Sequence, residues 1–160
     1  MIRNTTKLQK FGWVLFLMYL IALTYFMFFA ESFGRTPNTQ SGYAYNLELF
    51  KEIKRFYTYR EQLGFKAVFL NLVGNVVGFM PFGFLLPVVS RRGRKWYNAS
   101  LLGFLLSLCI ETIQLVFKVG SFDVDDLFLN TIGGILGFLL YKIVQKIRIR
   151  RKLRARKGKL

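Results

Sequence analysis

The sequence predicts an all-α polytopic membrane protein with four transmembrane helices and an external amphipathic helix between the first two, and three observations predict it. Hydrophobic residues make up 53% of the 160-residue chain while its net charge is +16, a combination foreign to a water-soluble globule of this size. Four apolar runs are each long enough to cross a hydrocarbon core of about 30 Å, which takes roughly 20 helical residues. The three segments that four spans place on one side of the membrane are all rich in Lys and Arg, as the positive-inside rule requires. A nucleic-acid partner is not expected: it would account for the charge but not for the apolar runs, and ten of the 24 cationic residues lie from Lys142 onward.

The chain reads as one domain, 1–160, with spans at about 11–30, 66–89, 97–117 and 126–144 and a basic cytoplasmic tail at 145–160. The first run is too long for a signal-peptide core, and "FMFFAES" lacks the small residues of a cleavage site, so it reads as an uncleaved anchor. Arg3, Lys7 and Lys10 precede it, "RRGRK" joins spans two and three, and "KIRIRRKLRARKGKL" follows span four. These segments place both termini in the cytoplasm of a multi-pass cell-membrane protein. Between the first two spans, "GRTPNTQSG" is a turn-rich linker. From Tyr45, apolar residues at Leu47, Phe50, Ile53, Phe56, Tyr57 and Leu63 recur near helical spacing. This segment reads as an amphipathic helix on the outer interface, with a loop helix packed on the bundle as the alternative. Pro81 and Pro87 are expected to kink or break span two. Gly74/Gly78 and Gly133/Gly137 are spaced as small-residue seams for close helix approach. The single Cys109 is expected to be a small buried hydrophobe, and with no His in the chain, Ser-His and Cys-His catalysis and histidine zinc sites are excluded.

Four of the eight acidic residues, Glu111, Asp123, Asp125 and Asp126, crowd into one otherwise apolar stretch. The direction of each span gives this a meaning. Asn71 and Asn75 on span two, Glu111 and Gln114 on span three, and Asp126 and Asn130 on span four all fall within about 12 Å of the outer helix ends at 1.5 Å per residue. Each pair is spaced i,i+4 or i,i+3 and so shares a face. They are expected to form one polar pocket opening outward, with Asp123 and Asp125 in the turn above. Amide hydrogen bonds between helices would explain Asn and Gln. They explain Glu111 less well, because a carboxylate at membrane depth costs about 3 kcal/mol even on the lenient scale. Lys118, Lys66, Arg55 and Arg60 are the nearest candidate cationic partners, and Asp125 is also placed to cap the fourth helix.

The blocks "NLVGNVVGFMPFGFLLPVV", "SLCIETIQLV" and "SFDVDDLFLNTIGGILGFLL" resemble the three signature blocks of the VanZ-like family, through Asn71, Gly74, Asn75, Phe79, Pro81, Gly83, Glu111, Gln114, Asp125, Asp126, Asn130, Gly133 and Gly134. "YNLELF" is similar to the family's N-L-x-P-F element, with Leu49 in place of the proline, and "KVGSFD" has Lys118 near a position where many members carry Arg. The resemblance implies a cytoplasmic-membrane protein, typically of Gram-positive bacteria, associated with resistance to lipophilic glycopeptides such as teicoplanin.

Three functions fit these residues. A non-catalytic binder would hold a membrane lipid, a lipid-linked cell-wall precursor or a lipoglycopeptide through Asn71, Asn75, Glu111, Gln114, Asp123, Asp125, Asp126 and Asn130. An enzyme acting on an outer-leaflet precursor would use Glu111 and Asp126 as its catalytic acids, and the oxygen-rich set could take Mg²⁺ or Ca²⁺ as cofactor. A transporter of this size would have to work as an oligomer.

Overall fold

The computed structural model describes residues 6–29 and 43–157. The linker "GRTPNTQSG" lies outside them, as do the side chains of Leu63 and Lys66. The chain is all-α apart from one two-residue bridge. Helix α1 (Lys7–Phe29) is followed by strand β1 (Tyr45–Asn46), the short helices α2 (Lys51–Thr58) and α3 (Arg60–Leu63), and α4 (Phe65–Val89). A 3-10 turn at Arg92–Arg94 leads into α5 (Trp96–Phe117), and strand β2 (Phe122–Asp123) leads into α6 (Val124–Lys157). Helices α1, α4, α5 and α6 are each long and apolar enough to cross a membrane.

Local chemistry sets the ends of these helices. At the start of α1, Thr6 and Gln9 form a reciprocal capping box: Gln9 N–H donates to Thr6 Oγ1 at 3.3 Å and Thr6 N–H to Gln9 Oε1 at 3.0 Å. At the end of α5, Lys118 takes a left-handed conformation (φ 54°). The Val119 N–H reaches back to Gln114 O and the Lys118 N–H to Leu115 O, a Schellman closure made without glycine. That reversal brings Phe122–Asp123 back to the bundle, where they pair in parallel with Tyr45–Asn46.

The tightest packing joins α4 to α6. A Cβ on Gly133 would stand 2.2 Å from Val76 O, one on Gly137 1.9 Å from Met80 O, and one on Gly83 1.8 Å from Gly134 O. Here backbone meets backbone, and only glycine fits. Of the expected Gly74/Gly78 pair, Gly78 is not in the seam with α6: a Cβ there would meet nothing within 4 Å, whereas Gly83 is the α4 glycine that meets the α6 backbone. Neither proline breaks α4, which runs unbroken through Pro81 and Pro87. Two apolar clusters fill the rest. Phe16, Phe82, Leu86, Val89, Ala99 and Phe138 pack toward the end carrying Arg91–Lys95, and Leu23, Met27, Phe79 and Ile110 pack toward the other.

One further expectation is corrected. Cys109 is exposed on the outside of the bundle, because the inward face of α5 is taken by Gly103, Ser107, Ile110, Glu111 and Gln114. The residues read as a basic tail after 144 are helical to Lys157, continuous with α6, a conformation on which the sequence reading makes no statement. At 1.5 Å per residue its 34 residues span about 51 Å, roughly 20 Å more than a bilayer core.

Candidate functional site: a polar cluster at the acidic end of the bundle

The outside of the bundle is apolar, with Ile21 71%, Met18 62% and Phe117 70% exposed, while polar side chains are turned inward. Glu111, Gln114 and Asp125 are each 1% exposed, Asn130 0%, and Asn75 and Asp123 7%. Asn71 and Asp126 are half-buried. The structure thus brings all eight residues singled out in the sequence to one end of the molecule, around the N-terminal turns of α4 and α6 and the C-terminal turns of α5.

Each acid has a distinct set of partners. Glu111 Oε2 accepts the Asp123 N–H at 3.0 Å, tying α5 to the start of α6. Asp123 Oδ1 accepts the Asp125 N–H at 2.8 Å and the Asn46 side-chain amide at 3.1 Å. It is therefore Asp123, not Asp125, that caps α6. Burial pushes the Asp123 carboxyl above the ordinary carboxylate range, partly offset by its bonds from the Asp125 backbone and Asn46. Asp125 reaches across to the other helix start. Its carboxylate accepts the Phe50 N–H, the Glu52 N–H at 2.8 Å and the Ile53 N–H at 3.2 Å. The first turn of α2 has no side-chain cap of its own, and an anion at its positive end supplies one. Asp126 Oδ1 accepts the Asn75 side-chain amide, linking α6 to α4.

The amides complete the frame. Gln114 Nε2 donates to Met27 O at 2.7 Å, holding α1 to α5, and Asn130 Nδ2 donates to Ser107 Oγ at 2.8 Å. Asn130 Oδ1 is buried without a hydrogen-bond partner. A cavity of about 250 Å³ lies between α1 and α4, walled by apolar residues including Leu23, Phe26, Met27 and Pro81, with Asn75 in its lining.

Of the cations expected to serve Glu111, three are engaged elsewhere. Arg55 pairs with Glu52 at 2.9 Å, Arg60 sits over the Tyr57 ring at 5.0 Å, and Lys118 sits over the Tyr43 ring at 5.0 Å; the Lys66 side chain is outside the described residues. The segment expected to form one external amphipathic helix is two short helices, with α2 docked on the bundle through Asp125 and an edge-to-face contact of Phe50 with Phe128 at 5.4 Å. Among the described residues no group of three or more Asp, Glu or Cys is arranged to hold a metal ion.

Sequence reasoning missed Asn46 and Ser107 as members of the cluster. Ser107 is one turn before Glu111 on the same face of α5, an i,i+4 relation that could have found it. Asn46 stands in the "YNLELF" element that resembles the family's N-L-x-P-F, but its place in the cluster comes from the bridge that sets it beside Asp123.

Apolar flanks, four spanning helices and a buried polar cluster at one end define a multi-pass membrane protein. The profile of the VanZ/LLP1 family matches residues 16–145, and the chain belongs to that family. It is 38% identical over 93 residues to Protein VanZ of Enterococcus faecium, an alignment covering 53% of this chain and 52% of that protein. The chain thus spans about half the length of that curated relative. No solved structure matches.

Proposed function

We propose that this protein acts in the cell envelope as a binder of a lipid or lipid-linked cell-wall precursor head group, and that it contributes to resistance of the teicoplanin type. The acidic end then faces outward and both termini lie in the cytoplasm, the orientation favoured by the Lys and Arg of the Arg91–Lys95 link and the α6 extension.

The observation that carries the reading is the Asn75–Asp126 pair beside the apolar cavity between α1 and α4. A polar pair next to a hydrocarbon-lined space suits a ligand with a polar head and an apolar part. The other acids favour binding over turnover. Glu111, Asp123 and Asp125 all accept backbone N–H groups of their own chain, a framing role, whereas a general acid or base must exchange protons with its substrate. In this reading Asp126 and Asn75 meet the ligand, and Glu111 holds the turn that positions Asp126.

The test is teicoplanin susceptibility of cells expressing the wild type, Glu111→Gln or Asp126→Asn at matched membrane levels. Asp126→Asn is expected to lose most of the protection, and Glu111→Gln part of it. Full protection by both variants would sink the site. A chemically altered precursor in expressing cells would favour the enzyme reading instead.

A further inference from the structure

At the opposite end of the bundle the charge pattern inverts. The eight acidic residues of the chain are Glu31, Glu48, Glu52, Glu61, Glu111, Asp123, Asp125 and Asp126, and the seven among the described residues all belong to the acidic end or its docked helices. The far end carries only cations, and it contains an open cavity of about 640 Å³ between the start of α1, the end of α4 and the emerging part of α6. Arg91, Arg94, Arg148 and Lys152 line it. Among the described residues the ion pairs are Lys51–Glu48 and Arg55–Glu52, so none of these four cations is neutralised by a carboxylate.

The cavity is layered. Phe84 and Tyr141, whose rings meet edge to face at 6.2 Å, lie at the apolar level together with Val88 and Val144. The cations lie beyond them, toward the 3-10 turn and the end of α6. On α6 the lining residues Tyr141, Val144, Arg148 and Lys152 recur at helical spacing and share one face. From Tyr141 to Lys152 is about 16 Å of helix axis. Arg94 is steadied by its Nε donating to Pro87 O at 3.3 Å. Apolar walls grading over that length into cations with no carboxylate partner among the described residues match an amphiphile that enters the membrane with its charge at the surface, and basic pockets between spanning helices hold anionic lipid head groups.

We infer that this cavity is a binding site for one anionic phospholipid of the leaflet at the basic end, its phosphate held by Arg94, Arg148 and Lys152 and its upper chain against Phe84 and Val144. The site is at the other end of the molecule from the proposed head-group pocket and does not depend on it.

Native mass spectrometry of the full chain in detergent tests this, with dioctanoyl phosphatidylglycerol, dioctanoyl phosphatidylcholine and inorganic phosphate as separate probes. The wild type is expected to retain one phosphatidylglycerol in strong preference to phosphatidylcholine, and inorganic phosphate is not expected to displace it at equal concentration. Arg94→Gln/Arg148→Gln should weaken retention about 25-fold, at roughly fivefold per surface cation removed. Arg151→Gln/Arg154→Gln, which removes the same charge from α6 outside the cavity lining, should leave it nearly unchanged. Val144→Trp, which keeps every charge and fills the apolar level, should abolish retention and covers the case in which a charge variant fails to fold. Equal losses in the two charge variants would mean diffuse attraction and overturn the site. Displacement by phosphate, or full retention in Val144→Trp, would overturn the lipid.

Discussion

Replacing Asp125 by Ala removes the side-chain cap that the described residues give α2 and is expected to undock that helix while the spanning bundle stays folded. Three backbone N–H groups lose a buried anionic acceptor, those of Phe50, Glu52 and Ile53. Hydrogen bonds to a charged group contribute about 1.5–3 kcal/mol each. A plain sum overstates the loss, because the freed amides regain water when α2 lifts. A helix N-cap truncation alone costs about 0.5–2 kcal/mol, and the anion's interaction with the helix dipole adds about 0.3–1 kcal/mol. Together these give about 1–3 kcal/mol, centred on about 2, or roughly thirtyfold in the docking equilibrium. Hydrogen exchange read by mass spectrometry on residues 47–58 measures this directly. Protection there should fall roughly thirtyfold in Asp125→Ala and by less in Asp125→Asn, which keeps one carbonyl acceptor, while α5 is unchanged. Unaltered protection of α2 would refute the capping assignment. Equal losses in α2 and α5 would show that Asp125 supports the whole bundle rather than one docked helix.

Three further outcomes are expected. Gly137→Ala should prevent a stable fold or cost several kcal/mol, as overpacking and backbone displacement do, because its Cβ would stand 1.9 Å from Met80 O; Gly78→Ala, with open space around it, should be nearly neutral in thermal unfolding. For Asp123 the folded-state pKa lies above the unfolded one, so the folded protein holds the proton more tightly and stability declines as pH rises through that window. Melting in detergent from about pH 3.5 to about pH 6, the carboxylate range, should show this decline, and Asp123→Asn should flatten it; a steeper slope in the variant would reverse the sign. In a Cys109→Ser background, an impermeant thiol reagent applied to intact cells should label a cysteine at Tyr57 and spare one at Lys95, and the converse pattern would invert the orientation.

Much of the fold could be read from the chain because hydropathy and helix length are local properties. Four apolar runs become four helices whose bounds differ from expectation mainly at their ends. The extension of α6 past Val144 was less legible, since the cationic sequence that marks it as leaving the membrane does not show whether it stays helical. The cluster was legible as a set, because one-face spacing and shared depth follow from helix geometry alone. The partner of each acid was not. Asp123 and Asp125 are two residues apart, yet one caps its own helix and the other a helix some 75 positions earlier in the chain. That division depends on the left-handed Lys118 and on the bridge to Tyr45–Asn46, neither of which announces itself in sequence. Gly78 and Gly83 make the same point. Gly78 is expected in a seam and Gly83 is not, and only the register of α4 against α6 decides which one meets a backbone.

The way the helices are joined also determines which part of the molecule can move. Between α4 and α6 the backbones touch at Gly83, Gly133 and Gly137, so sliding one past the other would drive carbonyls into each other, and the two behave as a single stator. Helix α1 is held differently, by side-chain packing and by polar latches that include the Tyr19 hydroxyl donating to Gly78 O at 2.9 Å and Gln114 donating to Met27 O. Such latches can let go without displacing a backbone-on-backbone contact. The cavity beside Asn75 is bounded by α1 on one side and by α4 on the other, so on the proposed reading the wall free to yield to a guest larger than about 250 Å³ is the one held by side chains, α1.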